Sequence, residues 1–465
     1  MCLKEICLSY SNFFLKLKSK ILHEDKITLQ TVVRFWSKNK KKLFKVGLFF
    51  YFCKKKRTMS EPERTHFLRK LIRNPSAALS LAMITVAFLV AIFAYFIAPD
   101  GSPNANEQSV DIALQAPAFR TQQLSVCTRR TGESDPQSFF ATLWGGKVSD
   151  YKRFSFQSYF FKNDSIFIEK WAGTDEQTGI VFAGDTVGFH LVQVLFPMSA
   201  ASVKIKKIEN GGFEFLGQDG GLSTAPCASF LQEKIIQERI TSRTFWLGTD
   251  AFGRCMLSRL ILGVRISLLV GCIAVLISLL LGVTLGAIAG YAGGRTDDLI
   301  VWLINTVWSI PTLLLVFAIV MAVGRNATNI YIAVGLTMWV DVARLVRGQV
   351  AALRKVQFVE AARSLGFGDA RILFRHILPN VSATVAVVAA ANFATAILVE
   401  AGLSYLGFGI QPPQPSWGTL LNENYGYVLS GKPALTIVPA VAIMLLVLAF
   451  NLLGNGIRDA LDVRS

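Results

Sequence analysis

The densest group of chemically capable side chains lies in residues 360–380, "EAARSLGFGDARILFRHILPN", where Glu360, Asp369, Arg363, Arg371 and Arg375 stand among apolar residues. Carboxylates and guanidiniums interleaved with apolar positions suit docking to a polar or acidic partner rather than bond-making. Asp341 and Glu400 sit at the ends of apolar stretches, where an ionisable group is a candidate for lining a pathway, or else reaches water or a neighbour such as Arg344. The cysteines Cys2, Cys7, Cys53, Cys127, Cys227, Cys255 and Cys272 show no C-x-x-C spacing, and His23, His66, His190 and His376 are scattered, so no metal site is expected. His190 reads as a packed strand residue. Residues 101–245 show no Ser/His/Asp, paired-carboxylate or metal constellation, which argues against an enzyme.

The composition says what must hold these groups. Of 465 residues, 52% are hydrophobic and 17% charged, which reads as a membrane protein. The net charge of +17 does not mark nucleic-acid binding, because residues 1–58 alone carry +12 of it. That segment reads as an upstream extension with translation starting at Met59, where a compact polar lead-in begins; a basic anchor on acidic lipid headgroups is the rival reading.

Apolar runs long enough to span recur at residues 75–98, 266–292, 299–324 and 433–456, with less clean ones at 329–346 and 381–402. Together they predict an all-α polytopic membrane protein of six transmembrane helices. Arg344, Arg347, Arg354, Lys355, Arg363, Arg371 and Arg375 crowd one loop, so the positive-inside rule makes it cytoplasmic. The N-terminus is then also cytoplasmic and residues 99–260 lie outside. Arg254, Arg259 and Arg265 run against that rule. Residues 59–98 form the lead-in and first span, 99–245 an inserted outer domain, and 246–465 a core with five further spans. From 151 to 218, aromatic and β-branched residues alternate with polar ones between glycine and asparagine turns, which predicts a mostly β domain. Cys127 and Cys227 are the two cysteines of that domain; in an oxidising compartment they would form a disulfide. Gly282, Gly286 and Gly290 put small residues on one helical face, which predicts close helix packing. Ala383, Ala386, Ala390 and Ala394 predict the same for the fifth span.

Within the hairpin 354–379, Phe358, Ala361, Ala362 and Leu365 fall at i, i+3, i+4 and i+7, the apolar face of a short helix. Gly366 breaks it, Asp369 caps a second helix of the same pattern, and Pro379 ends that helix. Neither piece can span lipid; both suit the membrane surface.

Glu360-Ala361-Ala362, Gly366 and Leu378-Pro379 resemble the EAA motif by which membrane subunits of ABC importers couple to their ATPases, with His376 where an isoleucine is usual. "LGTDAFGRCMLSRLILGVRISLLVG" (247–271) and "EAGLSYLGFGIQPPQPSWGTLL" (400–421) narrow the resemblance to the dipeptide/oligopeptide/nickel permeases. Trp302 and Asn305 stand where relatives commonly carry Arg and Asp, and the outer loop is far longer than usual. The resemblance implies a type I ABC importer permease fold in a bacterial inner membrane. It also implies a complex with a second homologous permease, two ATPase subunits or domains and an extracytoplasmic solute-binding protein. This chain has no G-x-x-x-x-G-K-[ST] cradle, so ATP would be bound by a partner and no cofactor is expected here. In that scheme Glu360 makes a polar contact to the ATPase or caps within the hairpin, Phe358, Ala361 and Leu365 dock, and Gly366 is the hinge. Nickel or another small solute is the alternative cargo. A secondary transporter is the rival mechanism, and the near absence of mid-span charges disfavours it.

Overall fold

The computed structural model describes residues 69–128, 139–173, 184–198, 205–217 and 221–461. The basic segment 1–58 and Met59 lie outside them. The first spanning helix among the described residues, α1 (Pro75–Ile92), starts where the Asn-Pro pair predicts: the Asn74 side chain accepts from the Ser76 N–H, and Pro75 occupies the first turn, where no donor is missed. A break at Phe93 leads into the one-turn α2 (Ala94–Ile97).

The chain then builds β1 (Phe119–Cys127), α3 (Phe139–Gly145), β2 (Tyr151–Lys162), β3 (Ser165–Lys170), β4 (Thr186–His190), α4 (Leu191–Leu195), β5 (Ile205–Lys207), β6 (Phe213–Leu216), β7 (Leu222–Ala225), α5 (Ala228–Glu238) and β8 (Ile240–Phe245). Five of the strands form an antiparallel sheet in the order β4-β3-β2-β1-β8, and β5-β6-β7 form a second. Period-2 alternation turns Phe213 and Phe215 inward, and they join Leu124, Phe156, Ile166, Ile168, Leu231 and Ile235 in one core. The first and last strands are neighbours, with Phe119 opposite Phe245. An insertion whose ends meet in this way leaves the helices on either side of it free to pack. His190 is structural: its Nδ1 accepts from the Val192 N–H to cap α4, and its ring meets Phe213 edge-on at 5.2 Å.

The expected Cys127–Cys227 disulfide is not formed. Cys127 is buried at the end of β1, opposite Tyr151, whereas Cys227 is exposed at the start of α5, after β7 of the other sheet. Cys227 instead lies 3.4 Å from the Ser229 hydroxyl. Sharing a compartment did not put the two sulfurs on adjoining elements.

The remaining helices are α6 (Met256–Ala292), α7 (Gly294–Trp308), α8 (Thr312–Val323), α9 (Ala327–Leu353), α10 (Gln357–Ser364), α11 (Asp369–Ile372), α12 (Leu378–Tyr405), α13 (Trp417–Asn424) and α14 (Ala434–Leu461). Among the described residues, α1, α6, α9, α14 and the run from Asp369 to Tyr405 are long and apolar enough to cross a bilayer. The third predicted span is not one helix. α7 and α8 meet at 89°, because Pro311 has no N–H to continue the ladder and holds the residue before it out of helical geometry. The glycine face packs as expected: a Cβ on Gly282 would stand 2.7 Å from the Trp339 carbonyl, and one on Gly290 would meet the Arg347 carbonyl of α9. Of the fifth-span alanines, Ala390 and Ala394 are buried while Ala386 faces outward.

Candidate functional site

The hairpin is built around its glycine. At Gly366, φ is +77°. Its N–H donates to the Arg363 carbonyl at 2.9 Å, and the Phe367 N–H donates to the Ala362 carbonyl at 3.2 Å. These are the paired bonds by which a left-handed residue closes a helix, so glycine is required for its backbone rather than for space. A Cβ there would touch nothing.

The predicted docking face is divided by the fold. Val359 and Ala362 are buried with Val342, Val346, Val350, Ile372, Ile377 and Val381, and Phe358 packs against them. Leu365 is half-buried, so of the proposed face only Ala361 stays exposed, beside Glu360, Arg363 and Ser364. The reason is energetic: the hairpin must first bury apolar surface against α9 to be a structure at all. Glu360 lies in the first turn of α10, where a carboxylate suits the helix dipole.

The second half of the hairpin also differs from expectation. Gly368, not Asp369, is the capping residue, and Asp369 accepts a hydrogen bond from the Tyr291 hydroxyl near the end of α6. Pro379 does not end a helix. A wide turn at Leu373–Ile377 carries α11 into α12, with Pro379 in its first turn, and the Asn380 side chain donates to the His376 carbonyl at 2.6 Å. Such a turn accommodates the donor that proline lacks. The second half of the hairpin and the fifth span are therefore one continuous helical run, from Asp369 to Tyr405.

Of the two pathway candidates, Asp341 is exposed in the middle of α9. Glu400 is 0% exposed. It accepts from the Ser404 hydroxyl at 2.7 Å, and that hydroxyl accepts from the Ile410 N–H at 3.3 Å, so Glu400 anchors the turn after α12. Neighbouring Arg344 stacks over Trp308 at 4.0 Å and donates to Asn305, one of the two positions that depart from the usual pattern.

At the opposite end of the bundle lies a group of charges to which the sequence pattern assigns no role. Arg254 donates to Asp250 at 2.7 Å and to Glu423 at 2.8 Å. Arg259, only 1% exposed, donates to Asp250 at 2.8 Å and to Glu423 at 2.6 Å. Asp250 also accepts from the Phe252 and Arg254 N–H groups, each at 2.9 Å. Two guanidiniums shared by two carboxylates cancel charge that could not otherwise be buried. The cluster ties the segment before α6 to α13, joining the stretch 247–271 to Glu423, just past the stretch 400–421. It also explains the arginines that oppose the positive-inside rule, since Arg254 and Arg259 are neutralised. Arg265 is stacked between Tyr95 and Trp144 and donates to the Leu143 carbonyl at 3.0 Å. The signal for the cluster was the Asp250/Arg254 spacing of four with Arg259 beyond; its distant partner Glu423 had none.

With this geometry in view, two family profiles match the chain. Residues 282–465 match the binding-protein-dependent transport system inner membrane component, and residues 65–117 match the N-terminal transmembrane domain of oligopeptide transport permease C. The glutathione transport system permease protein GsiD of Pectobacterium atrosepticum is 42% identical over 221 residues, which are 48% of this chain and 73% of the relative. The oligopeptide permease OppC of Bacillus subtilis is 39% identical over 227 residues, 48% of this chain and 72% of that one. The dipeptide permease DppC of Alkalihalophilus pseudofirmus is 43% identical over 221 residues, 48% and 72% respectively. The chain belongs to this family of ABC importer permeases. Its β-sheet domain, from β1 to β8, falls in the interval between the two matched profiles. Among solved structures, the inward-facing methionine transporter MetNI matches at 17% identity with a TM-score of 0.37, covering 44% of this chain and 98% of that one.

Proposed function

We propose that the chain is a transmembrane subunit of an ATP-driven peptide importer. The observation that carries this reading is family membership shared with permeases for dipeptides, oligopeptides and glutathione, at about two-fifths identity. A second homologous permease completes the pathway, two ATPase subunits or domains supply hydrolysis, and a solute-binding protein delivers peptide on the side of the β domain. The hairpin faces the ATPase. There Glu360, Ala361 and Ser364 meet the partner, while Val359, Ala362 and Phe358 hold α10 to the bundle and Leu378 and Pro379 join it to α12. Movement of docked α10 passes through the turn at Gly366 to α11, which continues into the fifth span. A partner that held both states equally would shift nothing, so the ATPase must grip the hairpin differently when closed. Asp341, exposed on α9, lines the pathway in this scheme.

The test is affinity purification of the native complex from membranes, followed by reconstitution. An ATPase should co-purify, and vesicles holding the complex and its binding protein should accumulate peptide only with ATP inside the ATPase-bearing compartment. Uptake driven by an ion gradient in the absence of any ATPase would discard the proposal.

A further inference from the structure

Where α1 ends, an unusually aromatic surface begins. Phe93, Phe96 and Ile97 at the top of the first span are exposed. Beside them lies α3, whose Phe139 stacks on Phe96 with ring centroids 5.4 Å apart. Phe139 is itself 58% exposed and Trp144, at the other end of α3, 66% exposed. The helix is firmly seated. Gly146 follows it with φ +75° and packs so closely that a Cβ would lie 2.7 Å from the Tyr95 ring, and the Lys147 N–H donates to the Gly101 carbonyl at 2.8 Å. Arg265 of α6 holds it from the other side, with its guanidinium 4.6 Å from the Trp144 ring centroid. A short helix fixed this tightly, yet turning a tryptophan and a phenylalanine outward, has not simply failed to find the protein core.

From this placement we infer that α3 is a membrane foot of the β domain, with Phe139 and Trp144 seated in the boundary between headgroups and acyl chains of the leaflet around the top of α1. The occupant is lipid for two reasons. The patch is continuous with Ile92, Phe93, Phe96 and Ile97, so it prolongs the outward surface of a spanning helix rather than forming an island on the domain. Its composition is that of an interface: tryptophan and phenylalanine beside the exposed Lys147, whose ammonium can reach phosphate while the rings stay among the acyl carbons. The consequence is that the inserted domain has a fixed height and tilt on the membrane.

The experiment uses the assembled importer in vesicles of phosphatidylcholine and phosphatidylglycerol, a share of the phosphatidylcholine carrying bromine near the carbonyl end or near the methyl end of its chains. The emission of Trp144 is taken as the difference between the wild type and Trp144→Phe. It should be quenched roughly twofold more by the shallow bromines than by the deep ones, and little by aqueous iodide, because an interfacial helix buries its apolar face only about 5–10 Å deep. Phe139→Trp in the Trp144→Phe background moves the reporter to the other end of α3 and should give the same order. Quenching by iodide without quenching by bromolipid means the helix stands in water and overturns the inference. Quenching by neither means that a protein partner covers the patch, which overturns it too.

Discussion

Two regions of this chain gather arginines and carboxylates, and they treat them oppositely. Around Arg254 and Arg259, both guanidiniums and Asp250 are buried, Glu423 is partly exposed, and each guanidinium reaches both carboxylates. In the hairpin, Glu360, Arg363, Arg371 and Arg375 are all exposed, and the buried groups are Val359, Ala362, Ile372 and Ile377. A buried charge has to be satisfied within the chain, so the first region fixes structure; an exposed charge has water as its partner until something better arrives, so the second is free to take part in recognition. Sequence composition alone does not distinguish them. Their difference lies in what covers them.

The sharpest way to break this contrast is Arg259→Leu. It leaves the buried Asp250, and the partly exposed Glu423, with one guanidinium fewer, and should cost about 3–5 kcal/mol, seen as loss of folded protein in detergent by thermal unfolding and size exclusion. A well-folded Arg259→Leu with unchanged melting would mean that the cluster is not a structural tie.

Next in size is Ser404→Ala. It removes the hydroxyl that links Glu400 to the Ile410 N–H, leaving a buried carboxyl oxygen and a backbone donor without that partner, at a cost of about 1–3 kcal/mol. Thermal unfolding reads it, and an undiminished midpoint with lower uptake would instead return Glu400 to the pathway.

Gly366→Val should cost roughly 1–2 kcal/mol in stability, from the positive φ alone, since a side chain there meets no atom. Its transport effect should be larger: peptide uptake falls while binding-protein-stimulated ATPase activity persists in reconstituted vesicles, because the closing turn sets the angle of α10. Normal uptake would reduce the hairpin to a connector. Glu360→Ala should leave the melting temperature unchanged and lower uptake mildly; an equal loss of stability would erase the distinction between the two regions.

Smallest of all should be the effect of reductant. With no bridge joining Cys127 to Cys227, dithiothreitol should not shift the unfolding midpoint. Thiol labelling should reach Cys227 in the folded protein and Cys127 only after denaturation, and protection of both in unreduced, denatured protein would restore the disulfide.

The elements that depended on local pattern were legible in the sequence. The Asn-Pro start of α1, the alternating strands, the apolar spans, the glycine face of α6 and the left-handed turn at Gly366 all follow from backbone preference or from periodicity within one segment. Motif order, too, was sufficient to suggest the family. What required the tertiary structure was every choice between two covers for the same residue. The third span bends because Pro311 sits inside an apolar run that hydropathy cannot divide. Ala362 turns inward and Ala361 outward because α9 lies on one side only of α10. Cys127 and Cys227 share a domain, yet one ends a strand of the five-stranded sheet and the other opens α5. Glu423 completes the charge cluster from more than 160 residues away in the chain. Hydropathy and periodicity report the environment a residue prefers, averaged over a helix face or a strand. Which neighbour supplies that environment is settled by packing between distant segments, whose contacts leave no trace in the spacing of either one.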